Sequence, residues 1–87
     1  MTKFRKKPVV IDAEQFVVYN SDDKVLTKTV NGVNFPVYKD ERGHHILIPT
    51  LEGTMRCDNL DWIIKGVSGE LYPCKPDIFR TTYEEVG

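Results

Sequence analysis

The sequence predicts an α+β domain dominated by antiparallel strands: a small, strongly curled, barrel-like β-meander with one short helix after the first strand and a C-terminal helix. Three observations carry that prediction. Near the N-terminus Val9, Ile11 and Ala13 alternate with Val10, Asp12 and Glu14, the period of two that gives a strand one buried and one wet face. Between residues 45 and 73, four short apolar runs are separated by tight turn clusters. The chain then changes period, with Ile78, Phe79 and Tyr83 at helical spacing behind Pro76 and Asp77.

Element by element, Phe16-Val17-Val18-Tyr19 extends the first strand past a bend. Ser21 is an N-cap, Asp22 and Asp23 suit the positive end of a helix dipole, and Val25, Leu26, Thr29 and Val30 follow at helical spacing, so a short helix is expected to end at Asn31-Gly32. Phe35-Pro36-Val37-Tyr38 contains a proline without an N–H to donate and is an edge strand at best. Asp40-Glu41-Arg42-Gly43 is a turn, His45 to Pro49 a strand, Leu51-Glu52-Gly53 a second turn and Thr54 to Cys57 the return. Asn59-Leu60-Asp61 leads into Trp62 to Lys65, and Gly66 to Gly69 reverses into Glu70 to Pro73. Residues 1–87 contain no repeat or linker and make one small domain.

Composition narrows the function classes. A chain of 87 residues buries only about 60–65% of its unfolded surface, so stability leans on turn chemistry and on association, and a homo-oligomer is expected. Lys+Arg 12 against Asp+Glu 13 argues against general nucleic-acid binding. Val9-Val10-Ile11 is too short for a signal-peptide core, and no run approaches the ~20 apolar residues of a membrane span, so a cytoplasmic protein without membrane contact is expected. Cys57 and Cys74 are then thiols, read as small buried hydrophobes.

No chemistry-bearing motif stands out. His44 and His45 would point to opposite faces of a strand, and the spacing of structural zinc ligands is absent, so no metal or other cofactor is expected and the two histidines are read as solvated or capping at a turn exit. Asp12, Glu14, Glu52, Asp58, Asp61 and Glu70 are available for acid–base work, but each reads first as a solvated acid beside a turn. Gly66-Val67-Ser68-Gly69 is not a nucleophile elbow, and no phosphate-cradling glycine loop occurs. Basic residues near aromatic or proline-framed positions are more informative. Arg5, Lys7, Lys65, Lys75 and Arg80, with Trp62 or Tyr72 as stacking platforms, would form a cationic, aromatic-lined pocket if the strand ends and the terminal helix meet. The competing reading is a solvated basic rim around a core anchored by Trp62, Phe79 and Tyr83.

Lys6-Lys7-Pro8-Val9-Val10-Ile11-Asp12-Ala13, Leu51-Glu52-Gly53-Thr54 and the run from Asp61-Trp62-Ile63-Ile64-Lys65-Gly66 through Tyr72-Pro73-Cys74-Lys75-Pro76-Asp77-Ile78-Phe79 to Thr82-Tyr83-Glu84 resemble a family of small proteins encoded by bacteriophages and prophages. Residues 17 to 44 match little. Where that family usually has Pro-Gly-Asp-Trp, this chain has Asn59-Leu60-Asp61-Trp62. The resemblance implies a phage accessory protein in a bacterial cytoplasm, with counter-defence as the expected role. The leading expectation is a non-enzymatic protein that sequesters a small anionic ligand, such as a host immune signalling nucleotide, without turnover. The alternatives are a protein–protein inhibitor of a host defence or regulatory protein, anchored on a sheet edge or near Trp62, and a small hydrolase using turn carboxylates.

Overall fold

The computed structural model describes residues 1–3, 9–19 and 26–86. In chain order the elements are β1 (Asp12–Gln15), β2 (Thr27–Val30), β3 (Val33–Pro36), β4 (Tyr38–Asp40), β5 (Gly43–Thr50), β6 (Gly53–Asp58), β7 (Trp62–Lys65), β8 (Leu71–Cys74) and α1 (Pro76–Thr82). They form an antiparallel β1-β7-β8 sheet, a β2-β3 hairpin and a β4-β5-β6 meander. The fold is β-rich with one short C-terminal helix, as the sequence predicts. The curled barrel is not: the strands fall into three separate small sheets, and none of them closes.

The helix expected after the first strand is corrected too. Residues 21–25 of that expectation lie outside the described residues, but Thr27–Val30 is a strand paired with Val33–Pro36. Asn31 (φ 51°) and Gly32 (φ 77°) are not a helix cap but the two residues of a hairpin turn with both φ angles positive. That geometry matches strand twist and is what Asn-Gly favours. Thr27 and Thr29, stiff at χ1, also suit a pleated strand better than a helix. Beyond it, Phe35 and Pro36 end β3, and Val37 separates them from β4 instead of continuing one edge strand.

The turns at Asp40-Gly43 and Thr50-Gly53 are built alike. Asp40 Oδ1 accepts from Arg42 N at 3.0 Å and Thr50 Oγ1 accepts from Glu52 N at 3.2 Å, the side-chain turn mimicry for which these residues are favoured. The following Gly43 and Gly53 sit at φ 106° and 104°, open to glycine and strained for other residues.

Register places the core. Ile46, Ile48 and Cys57 share the inner face of the β5–β6 ladder and pack with Phe16, Val18, Val30, Phe35 and Ile63, all buried, with Val37 and Leu71 at the margin. β7 is covered on both faces. Ile63 joins this core, while Ile64 and Trp62 face the other way, with Tyr72 and Cys74 opposite them on β8. α1 lies over that second face: Phe79 stacks on Trp62 at 4.2 Å and 7°, and Tyr83 on Phe79 at 5.1 Å. Among the described residues, no helix is long and apolar enough to cross a membrane.

Candidate functional site

The seven residues expected to line a cationic pocket are not gathered in one place. Arg5 and Lys7 lie outside the described residues. Trp62 and Tyr72 are half-buried under α1, and burial together with the Tyr83 hydroxyl pushes the Tyr72 phenol up to about 12. Lys65 is exposed at the far end of β7, about 10 Å along the strand from Trp62. Arg80 is exposed in the last turn of α1, where a cation suits the helix dipole. Neither Lys65 nor Arg80 makes an ion pair with another described residue.

Lys75 has a different setting. Its ammonium donates to Asp58 Oδ2 and to Asp61 Oδ2, both at 2.9 Å. Asp61 is 3% exposed and also accepts from Asp58 N at 2.9 Å. Asp58 accepts from Arg56 Nε at 2.5 Å and from Arg42 Nη2 at 3.0 Å, while Arg56 grips Asp40 through both Nη atoms at 2.6 and 2.9 Å. Asp40, Asp58 and Asp61 therefore balance Arg42, Arg56 and Lys75 in one network that ties β4 and β6 to the segment between β8 and α1. The hydrogen bond from Arg56, above all, holds the Asp40 carboxyl well below the carboxylate range, against a smaller effect of burial. Burial works against charge on Asp58, yet Arg56 and Lys75 outweigh it and bring that carboxyl down to about 2. Asp61 and then Asp58 raise the Lys75 ammonium, so the lysine stays charged.

Two sequence expectations are corrected here. Asp61 is a buried acid held by hydrogen bonds, not a solvated one, and His44 and His45 are buried rather than solvated, with His45 Nδ1 3.5 Å from the turn carbonyl of Gly43, in keeping with the capping alternative. His45 stacks on Tyr38 at 5.7 Å with Nδ1 4.0 Å from Asp40. Cys57 is buried and burial pushes its thiol up to about 12; Cys74 is half-buried with its thiol also raised by burial. Among the described residues no group of three His, Cys, Asp or Glu side chains is placed to hold a metal ion.

An apolar cleft lies elsewhere. A cleft of about 380 Å³ separates the tip of the β5–β6 hairpin from β8, lined mainly by Leu51, Glu52, Met55, Glu70, Leu71 and Pro73. A smaller hollow of about 230 Å³ continues it toward α1, sharing Met55 and Pro73 and ending at Lys75 and Ile78. Leu51 is 97% and Met55 40% exposed. The residues lining the larger cleft include two carboxylates and no cation. Sequence reasoning missed this feature, because Met55 and Leu71 read simply as strand residues. The available signal was the exposed Leu51 at a hairpin tip, followed by an apolar Met55 on the inner face where the core runs out.

No protein-family model matches this chain, and no curated protein or solved structure matches it.

Proposed function

We propose that this chain is a phage accessory protein that acts by stoichiometric binding to a host defence or regulatory protein, without turnover. The phage setting rests on the resemblance of the 6–13, 51–54 and 61–84 segments. The binding mode rests on one observation: the apolar cleft between the β5–β6 tip and β8 is lined by two acidic residues and no cation, whereas Lys75 is already neutralised by Asp58 and Asp61. An anionic ligand approaching Lys75 would have to displace two carboxylates, one of them buried, whereas an apolar protein segment meets open surface. Anchoring by a few apolar side chains in a cleft is how most interfaces obtain their affinity.

Sequestration of a small anionic ligand, the leading expectation from the sequence, becomes the second reading, supported by the Trp62–Phe79–Tyr83 stack and by Arg80 in the last turn of α1, which makes no ion pair with another described residue. Turnover by the turn carboxylates has the least support, since Asp58 and Asp61 are both tied to Lys75. Affinity capture from a host lysate decides between the first two. The protein-binding reading expects a stoichiometric protein that survives high-nucleotide washes, and no heat in calorimetry against cyclic and ADP-ribose-type nucleotides. Saturable nucleotide binding without a protein partner would overturn it.

A further inference from the structure

We infer that the open edge of β6 is the docking site, and that it takes an extended segment of the partner protein that adds to β6 as a strand, sets an apolar side chain into the cleft and brings a lysine or arginine to Glu52 and Glu70. The inference rests on the protein-binding reading and specifies its chemistry.

The phase of the ladders identifies the edge. Asp58 N points away from β5, because it donates to Asp61 Oδ2. In an antiparallel ladder the outward positions alternate, so the N–H and C=O groups of Thr54 and Arg56 also face away from β5. Among the described residues no further strand pairs with them. The Asp58 end of this edge is closed by Asp61 and Lys75, whereas toward the hairpin tip Met55, between Thr54 and Arg56, lines the cleft.

The facing strand is protected. The bond from Gly66 N to Glu70 O sets the β7–β8 phase, so Pro73 falls where its nitrogen faces the open side and offers no donor. Proline and short length are how proteins blunt edges, and β4, the other outer strand of its meander, has only three residues. β6, with six residues and no proline, is left open.

The side chains specify the occupant. In a strand added to β6, alternate residues would face the inner side, where Met55, Leu71 and Pro73 present apolar surface. The lining includes Glu52, exposed, and Glu70, whose carboxylate lies back against Gly66 with Oε2 accepting from Ser68 N, so that Glu52 is the freer of the two charges. Two carboxylates with no lining cation select a basic segment over an acidic one. β8 and α1 wall the far side, which leaves room for one extended segment more readily than for the sheet of a second copy.

The test titrates the ¹⁵N-labelled chain with an end-blocked octapeptide alternating lysine and valine, a counterpart with glutamate for lysine, and a lysine–valine version N-methylated at alternate residues. The expected result is saturable shifts and slowed exchange at the Thr54 and Arg56 amides with the first peptide only. Thr54→Pro, which removes an outward donor without touching the β5 ladder, should weaken that binding about tenfold, and Glu52→Lys about fivefold. Wild-type-like circular dichroism for both variants separates an edge effect from misfolding. If Thr54→Pro does not fold, the N-methylated peptide carries the same test. No binding at millimolar peptide, equal binding of the glutamate peptide, or shifts that spare Thr54 and Arg56 would each overturn the inference. A host protein captured equally by wild type and Thr54→Pro would sink the β6 assignment and leave the protein-binding reading standing. Peptide addition at β6 with no host protein captured would support the edge and sink that reading.

Discussion

Replacing Asn59 with alanine should cost this domain a large share of its stability. Asn59 stands in for a neighbouring strand: its Oδ1 accepts from Val18 N at 2.7 Å and its Nδ2 donates to Val18 O at 2.9 Å. Val18 is buried, so alanine would strand one N–H and one C=O at the core margin. Each unsatisfied buried group costs about 1–3 kcal/mol, and because water can reach this margin the lower half of that range applies, giving about 2–4 kcal/mol for the pair. A domain of this length has a total stability of about 4–13 kcal/mol, so the midpoint should fall by roughly 10–25 °C. Thermal unfolding followed by the fluorescence of Trp62, three residues from Asn59, measures the midpoint, and urea unfolding the free energy. Asn59→Asp is the internal control. It keeps the acceptor for Val18 N–H but sets a carboxylate against Val18 O, so it should be the worse variant at neutral pH and recover when acid protonates it. A loss below about 0.5 kcal/mol for Asn59→Ala would refute the clamp.

Four further outcomes follow from the geometry. Lys75→Ala should destabilise by about 1.5–3 kcal/mol by removing two charge-assisted hydrogen bonds and leaving Asp61 buried without its cation; unchanged stability with loss of an anionic ligand would reinstate Lys75 as a ligand contact. Because the folded carboxyl of Asp58 is depressed to about 2 from an ordinary 3.8, its contribution is fully present above pH 4 and lost as pH falls from there toward 2, a slope that chemical unfolding in acid should show and Asp58→Asn should flatten. Leu60 is half-exposed at φ 79°, where a side chain is strained, so Leu60→Gly should be more stable than Leu60→Ala by about 1 kcal/mol, reversing the usual order; equal midpoints would count against the strain. Iodoacetamide at pH 8 should label Cys74 slowly and leave Cys57 intact until denaturant is added, as mass spectrometry of the two peptides would report.

Much of the β architecture was legible because it is written locally. Ala13 and Gln15 are half-buried while Asp12 and Glu14 are exposed, but the alternation read from Val9 holds only within β1: Val9 to Ile11 precede the strand with Val9 exposed, and Phe16 to Tyr19 follow it without extending it. The turn clusters at 40–43, 51–53 and 66–69 mark hairpin reversals, and Pro76 with Asp77 marks the start of α1. The β2–β3 hairpin was misread because Val25, Leu26, Thr29 and Val30 satisfy a helical period by chance, and the Asn31-Gly32 dipeptide serves as a cap or a hairpin turn depending on what flanks it. The candidate site was less legible for a longer-range reason. Arg56 and Asp58 share a strand face by spacing, but Asp40 and Lys75, 16 and 17 residues away, reach them only through the packing of the meander against the β8–α1 segment. The separation of the sheets is equally non-local: short strands and tight turns are common to a curled barrel and to three small sheets. Leu60 sits at φ 79°, a conformation that favours glycine, and nothing in a leucine beside Asn59 and Asp61 signals it.

The fate of the basic residues reaches beyond their number. Lysine and arginine count nearly equals that of the acids, so no composition argument distinguishes a cationic pocket from an internally balanced surface. Placement does. Arg42, Arg56 and Lys75 are spent on Asp40, Asp58 and Asp61, holding the edge of β6 against the start of α1, and this closes one end of that edge. The opposite end is apolar and lined by Glu52 and Glu70, with no further strand among the described residues pairing with the outward backbone of Thr54 and Arg56 beside Met55. An open strand edge beside an apolar cleft is a liability in a free-standing domain unless something covers it. Weakening the Lys75 network should therefore not create an anion site. It should loosen the closed end of the β6 edge, so that Lys75→Ala, besides losing stability, exchanges the Asp58 amide faster while leaving the Thr54 end as open as before.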